Sequence, residues 1–240
     1  MRKTELAEGE YYHVYNRGTD KRDIFQDIED FRRFFQSLVE FNVVEPIGSI
    51  YENRFNKKQK LGHPMSKSTE GHGRVVTKIE KEEKLVEFIA YCVNPNHFHF
   101  ILEQVAEKGI EKFMQRLGNG YTKYFNRKHR RSGVLFQGKY KSIHVDTNEY
   151  LLHLSAYVNL NDRVHNIPVT PLGQHRMSKS SWGEYIGGTK GLTNKESLFC
   201  KTSVISEQFS SPNEYEKFAE EALTIVQENR RELQAIEYED

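Results

Sequence analysis

The chain has 240 residues, of which 37% are hydrophobic and 12% aromatic, and its net charge is +1. That is enough to bury a core in one domain of about 150 residues carrying an insertion and a tail. No apolar run approaches the ~20 residues that cross a bilayer, Met1-Arg2-Lys3 does not open a signal peptide, and Cys92 and Cys200 are too few and too far apart for a disulfide framework or a thiolate zinc site. A soluble, cytoplasmic protein with two ordinary buried thiols and no membrane contact is therefore expected.

Glu10 to Asn16 (EYYHVYN) is rich in aromatic and β-branched residues and is stopped by Arg17-Gly18, which predicts a first strand. In the following DIEDFRRFFQSLVEF, Ile28, Phe31, Phe35, Leu38 and Val39 fall at helical spacing, with Arg32, Arg33 and Gln36 left for the outside. The stretch from Asn53 to Arg74 is rich in Lys, Ser, Gly and His and has little to bury. It predicts a flexible surface insertion over about 53–83, in which Lys57, Lys58 and Lys60 are read as solvated, with a nucleic-acid contact as the alternative.

Leu85 to Val93 and His97 to Val105 read as two strands joined at Asn94-Pro95-Asn96, a hairpin signal. Ile110, Phe113, Met114, Leu117, Tyr121, Tyr124 and Phe125 then form one helical stripe, closed by Ser132-Gly133. Val134 to Val145 reads as a fourth strand. A last helix is expected to start at Asp146 as N-cap with Glu149 three residues on, and to run through YLLHLSAYVNLN to a stop before Pro168.

Strand, helix, strand, strand, helix, strand is the split βαβ order of a ferredoxin-like sandwich. The expected fold class is α+β, an antiparallel sheet with helices on one face, plus the appended helix and a C-terminal helical extension. The expected division is a domain over 1–168 and an extension over 169–240. The extension holds a loop-like stretch, Ser178 to Gly188, around Trp182, and an acidic amphipathic helix over Asn213 to Ile236 that buries Tyr215, Phe218, Ala222, Ile225 and Val226. The acidity of that helix suggests a cover for a basic groove.

The small net charge hides two opposite fields. From Lys112 to Val145 there is no Asp or Glu, while Lys112, Arg116, Lys123, Arg127, Lys128, Arg130, Arg131, Lys139 and Lys141 are all cationic. This points to a polyanion, with a solvated helix face as the alternative.

Alternate residues of a strand share a face, so His97 and His99 present two imidazoles together while Phe98 and Phe100 point the other way. Such a pair is half a metal site, although HxH alone is a weak sign. Tyr157 and Asn161 are four apart and stack on one helical face, which brings a phenol beside a hard oxygen donor. A His-His-Asn set is a mixed N/O site suited to Mg²⁺ or Mn²⁺. The competing reading packs Tyr157 on the sheet and uses Asn161 to end the helix.

The set formed by Tyr12-His13-Val14-Tyr15-Asn16-Arg17-Gly18, Asn94-Pro95-Asn96-His97-Phe98-His99, Ser132 to Ser142, and Tyr157 to Asn161 resembles the REP-associated tyrosine transposases of the HUH single-strand transposase superfamily, in order and spacing, over roughly Glu10 to Gly188. The resemblance implies a transposase in which His97, His99 and Asn161 hold a divalent ion and Tyr157 is the nucleophile. It implies cleavage and rejoining of single-stranded DNA hairpins through a 5′-phosphotyrosine, by a monomer or a homodimer. Arg17, Arg127, Lys128, Arg130, Arg131, Lys139 and Lys141 are the expected DNA contacts. The chain departs from the family at Asp162, where Pro is usual, and at Lys179, where Trp often precedes the Ser-Ser pair.

Two other readings bear on the same residues. A histidine-triad nucleotide hydrolase needs a third alternate histidine, and Ile101 stands there. A nucleic-acid-binding protein that has lost catalysis differs only in what it does to bound DNA. Tyr121, Tyr124 and Tyr140 compete with Tyr157 as nucleophile but lie on the apolar stripe or a strand. His153, one turn before Tyr157, is a candidate helper for it.

Overall fold

A computed structural model describes residues 6–53, 83–165, 167, 178–187 and 199–237. The expected insertion falls largely outside these residues, as do 169–177, 188–198 and 238–240 of the expected extension. The elements are β1 (Tyr11–Arg17), α1 (Ile28–Glu40), β2 (Val86–Asn94), β3 (His97–Gln104), α2 (Gly109–Lys128), β4 (Lys141–Val145), α3 (Asn148–Asn159), α4 (Asn161–Val164), β5 (Lys179–Ser180), α5 (Trp182–Tyr185), α6 (Ser203–Ser206) and α7 (Pro212–Glu237).

The strands form one antiparallel sheet in the order β4-β1-β3-β2-β5, which contains the 4-1-3-2 arrangement of the ferredoxin-like sandwich with β5 added at one edge. One face is apolar. Val14, Phe98, Phe100 and Leu102 pack there against Phe31, Phe34 and Leu38 of α1 and Phe113, Leu117 and Tyr121 of α2. α1 begins cleanly because the Asp27 carboxylate accepts from the backbone N–H groups of Glu29 and Asp30. Phe34 takes the buried position on this helix and Val39 is exposed, a shift along the stripe from the expected pattern.

The opposite face is covered by α3 and, through α3, by α7. Ile89, Ala90, Cys92 and Ile101 of the sheet share a core with Leu151, Leu154 and Val158 of α3 and with Tyr215, Ala219 and Ala222 of α7. The acidic helix is therefore part of the fold. The buried Tyr215 hydroxyl lies 3.1 Å from Ser155 Oγ and accepts from Asn159 Nδ2 at 2.8 Å. Ile225, expected to be buried, is exposed.

Three sequence expectations shift. The fourth strand shortens to Lys141–Val145, because Gly138 turns the chain at φ +69 while Leu135 and Phe136 are buried and Phe136 bridges Gly18. The N-cap of α3 is Thr147, accepting from Tyr150 N–H at 3.2 Å, and not Asp146. Both residues can cap, and the register that buries Leu151 and Leu154 selects the later one. The helix also stops at Asn159: Leu160 leaves helical geometry at φ −109 and ψ 17, and Asn161 opens the separate turn α4.

One irregularity decides what the second face presents. In β2, Phe88 pairs with Leu102 and Ala90 with Ile101, so Ile89 is an extra residue, a β-bulge. An unbulged strand would keep Phe88, Ala90, Cys92 and Asn94 on one side. With the bulge, Phe88 stays in the aromatic core, while Cys92 pairs with His99 and Asn94 with His97 on the other face.

Candidate metal and DNA site

Strand register assembles the site. Arg17 pairs with His97, Tyr15 with His99, and Lys141 with Tyr15, so these side chains form two adjacent rows across the face under α3. Diagonally, His13 Nε2 lies 2.9 Å from His99 Nδ1. The Tyr15 ring stacks on His99 at a centroid distance of 5.5 Å, and Tyr157 stands edge-on to His99 at 5.6 Å and to His13 at 6.3 Å.

His97 and Asn161 meet across the gap between β3 and α4, with Nε2 and Oδ1 3.0 Å apart. Two donors about 2.1 Å from an octahedral ion and at right angles to each other are about 3.0 Å apart. The His97 ring is oriented from behind, since Nδ1 lies 2.6 Å from Asn96 Oδ1, which favours the proton on Nδ1 and leaves the Nε2 lone pair forward. Asn161 is fully buried, yet its Nδ2 has no hydrogen-bond partner among the described residues. The amide thus turns its oxygen to the imidazole nitrogen and to Asn94 Nδ2, 2.8 Å away, and leaves its own N–H groups unpaired among the described residues.

Burial lowers the pKa of His13 to about 4. It also holds His99 well below the usual histidine value, with His13, His97 and His165 nearby adding to the effect. Both imidazoles are neutral at pH 7, the state that ligates metal. If His99 binds through Nε2, its Nδ1 carries the proton and donates to His13 Nε2, so His13 fixes the tautomer of His99.

A cleft of about 860 Å³ is lined by His97, His99, Tyr157 and His165 and by the cations Arg17, Lys21, Lys139 and Lys141. Tyr157 is half-buried. His153 is excluded as its assistant, because it is exposed and its ring packs on Phe218 at 5.1 Å. Tyr121 is excluded as a rival nucleophile, since it is buried and donates its hydroxyl to the Ile24 carbonyl at 2.6 Å. The described residues of α7 pack against α3 and do not line the cleft.

The basic run divides. Arg17, Lys139 and Lys141 line the cleft, and Lys21, which the sequence did not single out, lines it with them. Arg127 and Arg130 are exposed near the end of α2 and do not line it. Arg131 is tied down, with Nη1 donating to Asn126 Oδ1 at 3.1 Å and its guanidinium 5.6 Å from the Phe125 ring centroid. Lys128 is a correction to the sequence reading: its Nζ lies 2.6 Å from Asp27 and 3.0 Å from Asp30, so it closes a structural ion pair between α2 and α1. Burial opposes its charge, but these hydrogen bonds outweigh that effect and raise its pKa. Asp27, Asp30 and His129 also cluster their ligand atoms within 4.8 Å. Lys128 already supplies the cation there.

His13 and Asn94 stand inside sequence motifs that assign neither a role. Period-two alternation puts His13 on a known side of β1, but its meeting with His99 depends on the β1–β3 register. Asn94 depends on the bulge.

Residues 63–161 match the family model described as IS200-like transposase, a segment that spans His97, His99 and Tyr157 and ends on Asn161. No curated protein matches the chain in sequence. Among solved structures, a REP-associated tyrosine transposase bound to a REP hairpin aligns with a TM-score of 0.44 at 10% identity, over 80% of this chain and 87% of that one.

Proposed function

We propose that the protein, whose residues 63–161 match the IS200-like transposase model, is a divalent-metal-dependent transposase that cuts and rejoins single-stranded DNA at hairpins. The observation that carries the reading is the 3.0 Å approach of the buried Asn161 Oδ1 to Nε2 of His97, which lines a cleft together with His99, Tyr157 and four cations. His97, His99 and Asn161 would hold Mg²⁺ or Mn²⁺, which when bound polarises the scissile phosphate and offsets the charge that develops on it.

The chain's own residues account for the remainder. Arg17, Lys21, Lys139 and Lys141 take the strand's phosphates and bring the reacting one against Tyr157. The Tyr157 oxygen attacks phosphorus and forms a P–O bond. The bond to the 3′ oxygen breaks, the phenolic proton passes to solvent, and the departing oxygen takes a proton from solvent to become a 3′-hydroxyl. One phosphodiester replaces another, so no nucleotide cofactor is consumed, and attack by a second 3′-hydroxyl on the phosphotyrosine rejoins DNA. His13 and the half-buried Tyr15 keep His99 in place beneath the reaction.

The test is a hairpin-bearing single strand incubated with the full chain and Mn²⁺, with the products run on a denaturing gel and the adduct mapped by mass spectrometry. A DNA adduct on Tyr157 that is absent in Tyr157→Phe is expected. An adduct that persists in Tyr157→Phe refutes the nucleophile. Wild type that binds hairpins and never cleaves them is a binding protein of transposase descent.

A further inference from the structure

Asn94 is the last residue of β2, fully buried, and turned to the histidine face by the bulge at Ile89. Its side-chain amide touches two of the proposed metal donors at once. Nδ2 donates to Asn161 Oδ1 at 2.8 Å and lies 3.0 Å from His97 Nε2. The other end of the amide is held in turn, since Asn94 Oδ1 accepts from Ser178 Oγ at 2.6 Å and from Cys92 Sγ at 3.5 Å.

We infer that Asn94 is a positioning residue of the metal centre, which holds Asn161 of α4 and His97 of β3 at the spacing of neighbouring ligands. The inference rests on the reading of His97, His99 and Asn161 as the donors. A carbonyl oxygen has two lone pairs, so Asn161 Oδ1 accepts from Asn94 on one and keeps the other for the ion. The approach of Asn94 to His97 Nε2 competes with an ion, whereas its bond to Asn161 does not.

Asparagine suits this place for chemical reasons. A carboxylate would set acceptor against acceptor at Asn161 Oδ1, and an aliphatic side chain would leave that buried oxygen without its donor. Ser178 determines which end of the amide faces the donors. With Asn94 Oδ1 occupied by the Ser178 hydroxyl, the N–H₂ end is directed at Asn161 and His97. The segment around Ser178 thus contributes to a site whose ligands all lie earlier in the chain.

The test is Mn²⁺ titration of the full chain without DNA, by calorimetry and by the Mn²⁺ electron paramagnetic resonance signal, with melting temperatures taken metal-free. The variants are His97→Ala, Asn94→Leu and Ser178→Ala. His97→Ala should remove the bound Mn²⁺ signal, Asn94→Leu should weaken Mn²⁺ by about 10–100-fold, as loss of an outer-shell partner does, and Ser178→Ala should weaken it by a smaller factor. An Asn94→Leu protein that folds and binds Mn²⁺ as tightly as wild type overturns the inference. A purely structural Asn94 would give that result with a lowered metal-free melting temperature. Should Asn94→Leu fail to fold, unchanged affinity in Ser178→Ala overturns it. Equal Mn²⁺ binding by wild type and His97→Ala defeats the donor assignment itself, a separate failure that takes the role of Asn94 with it.

Discussion

Along β3, Phe98 and Phe100 enter a closed aromatic core between the sheet and helices α1 and α2, while His97 and His99, each one residue away, face a cleft open to solvent. The contrast extends across the sheet. On one side the neighbours of these residues are Val14, Phe34, Phe88 and Phe113, which have little to offer but packing. On the other they are His13, Tyr15, Asn94 and Asn161, linked by hydrogen bonds or ring contacts. A single strand thus carries a packed face and a polar face, and the rigidity of the first is what holds the side chains of the second in place.

The strongest way to test that division is to substitute on the two faces separately. Phe100→Ala removes a fully buried ring that meets Phe88 at 5.3 Å and Phe98 at 4.6 Å. It should cost about 3–5 kcal/mol of unfolding free energy in urea titrations. His97→Ala lies on the half-buried side and should leave the urea midpoint near wild type while reducing adduct formation by more than about 100-fold, beyond what loss of an outer-shell partner produces. Equal destabilisation by the two substitutions would mean that the faces are not separable.

Acid should act on the second face next. The pKa of His13 falls from 6.5 to about 4 because burial disfavours its charged form, and His99 shifts in the same direction. A group whose folded pKa is depressed stabilises the fold above its unfolded pKa, and that contribution is lost as pH falls through the folded value. Metal-free stability should therefore be level above pH 6.5 and decline from there towards pH 4, with His13 contributing on the order of 3 kcal/mol. Urea midpoints across this range check it. A His13→Phe protein should show a shallower decline, and an unchanged slope would exclude His13 as the cause.

Much of this was legible in the sequence for definite physical reasons. The alternation in His97-Phe98-His99-Phe100 and the stripe from Ile110 to Phe125 report which side of an element is buried, and burial depends on local spacing. The strand order followed from the element order. What was not legible depends on where distant segments meet. Asn94 faces the histidines because one extra residue at Ile89 reverses the side of β2, and nothing in Val86 to Asn94 marks the bulge. Lys128 looked like a DNA contact because its own segment has no acid, but Asp27 and Asp30 approach it from α1. The break at Leu160 was likewise hidden, since YLLHLSAYVNLN has helical spacing throughout.

The smallest expected effects separate the cations of the cleft from those outside it. Lys139 and Lys141 line the cleft, while Arg127 and Arg130 are equally exposed but stand apart from it. Each phosphate contact on a single strand contributes about 0.7 to the slope of log affinity against log salt. Lys139→Ala and Lys141→Ala should each weaken hairpin binding several-fold and lower that slope by about 0.7, measured by fluorescence anisotropy without metal so that cleavage does not intervene. Arg127→Ala and Arg130→Ala should leave the slope nearly unchanged. Lys128→Ala should lower the melting temperature through the loss of its partnership with Asp27 and Asp30, again with little change in slope. If the α2 pair moves the slope as much as the cleft pair does, the strand runs along the end of α2 as well. The basic run from Lys112 to Lys141 would then be one surface, and not the divided set that the cleft and the ion pair define.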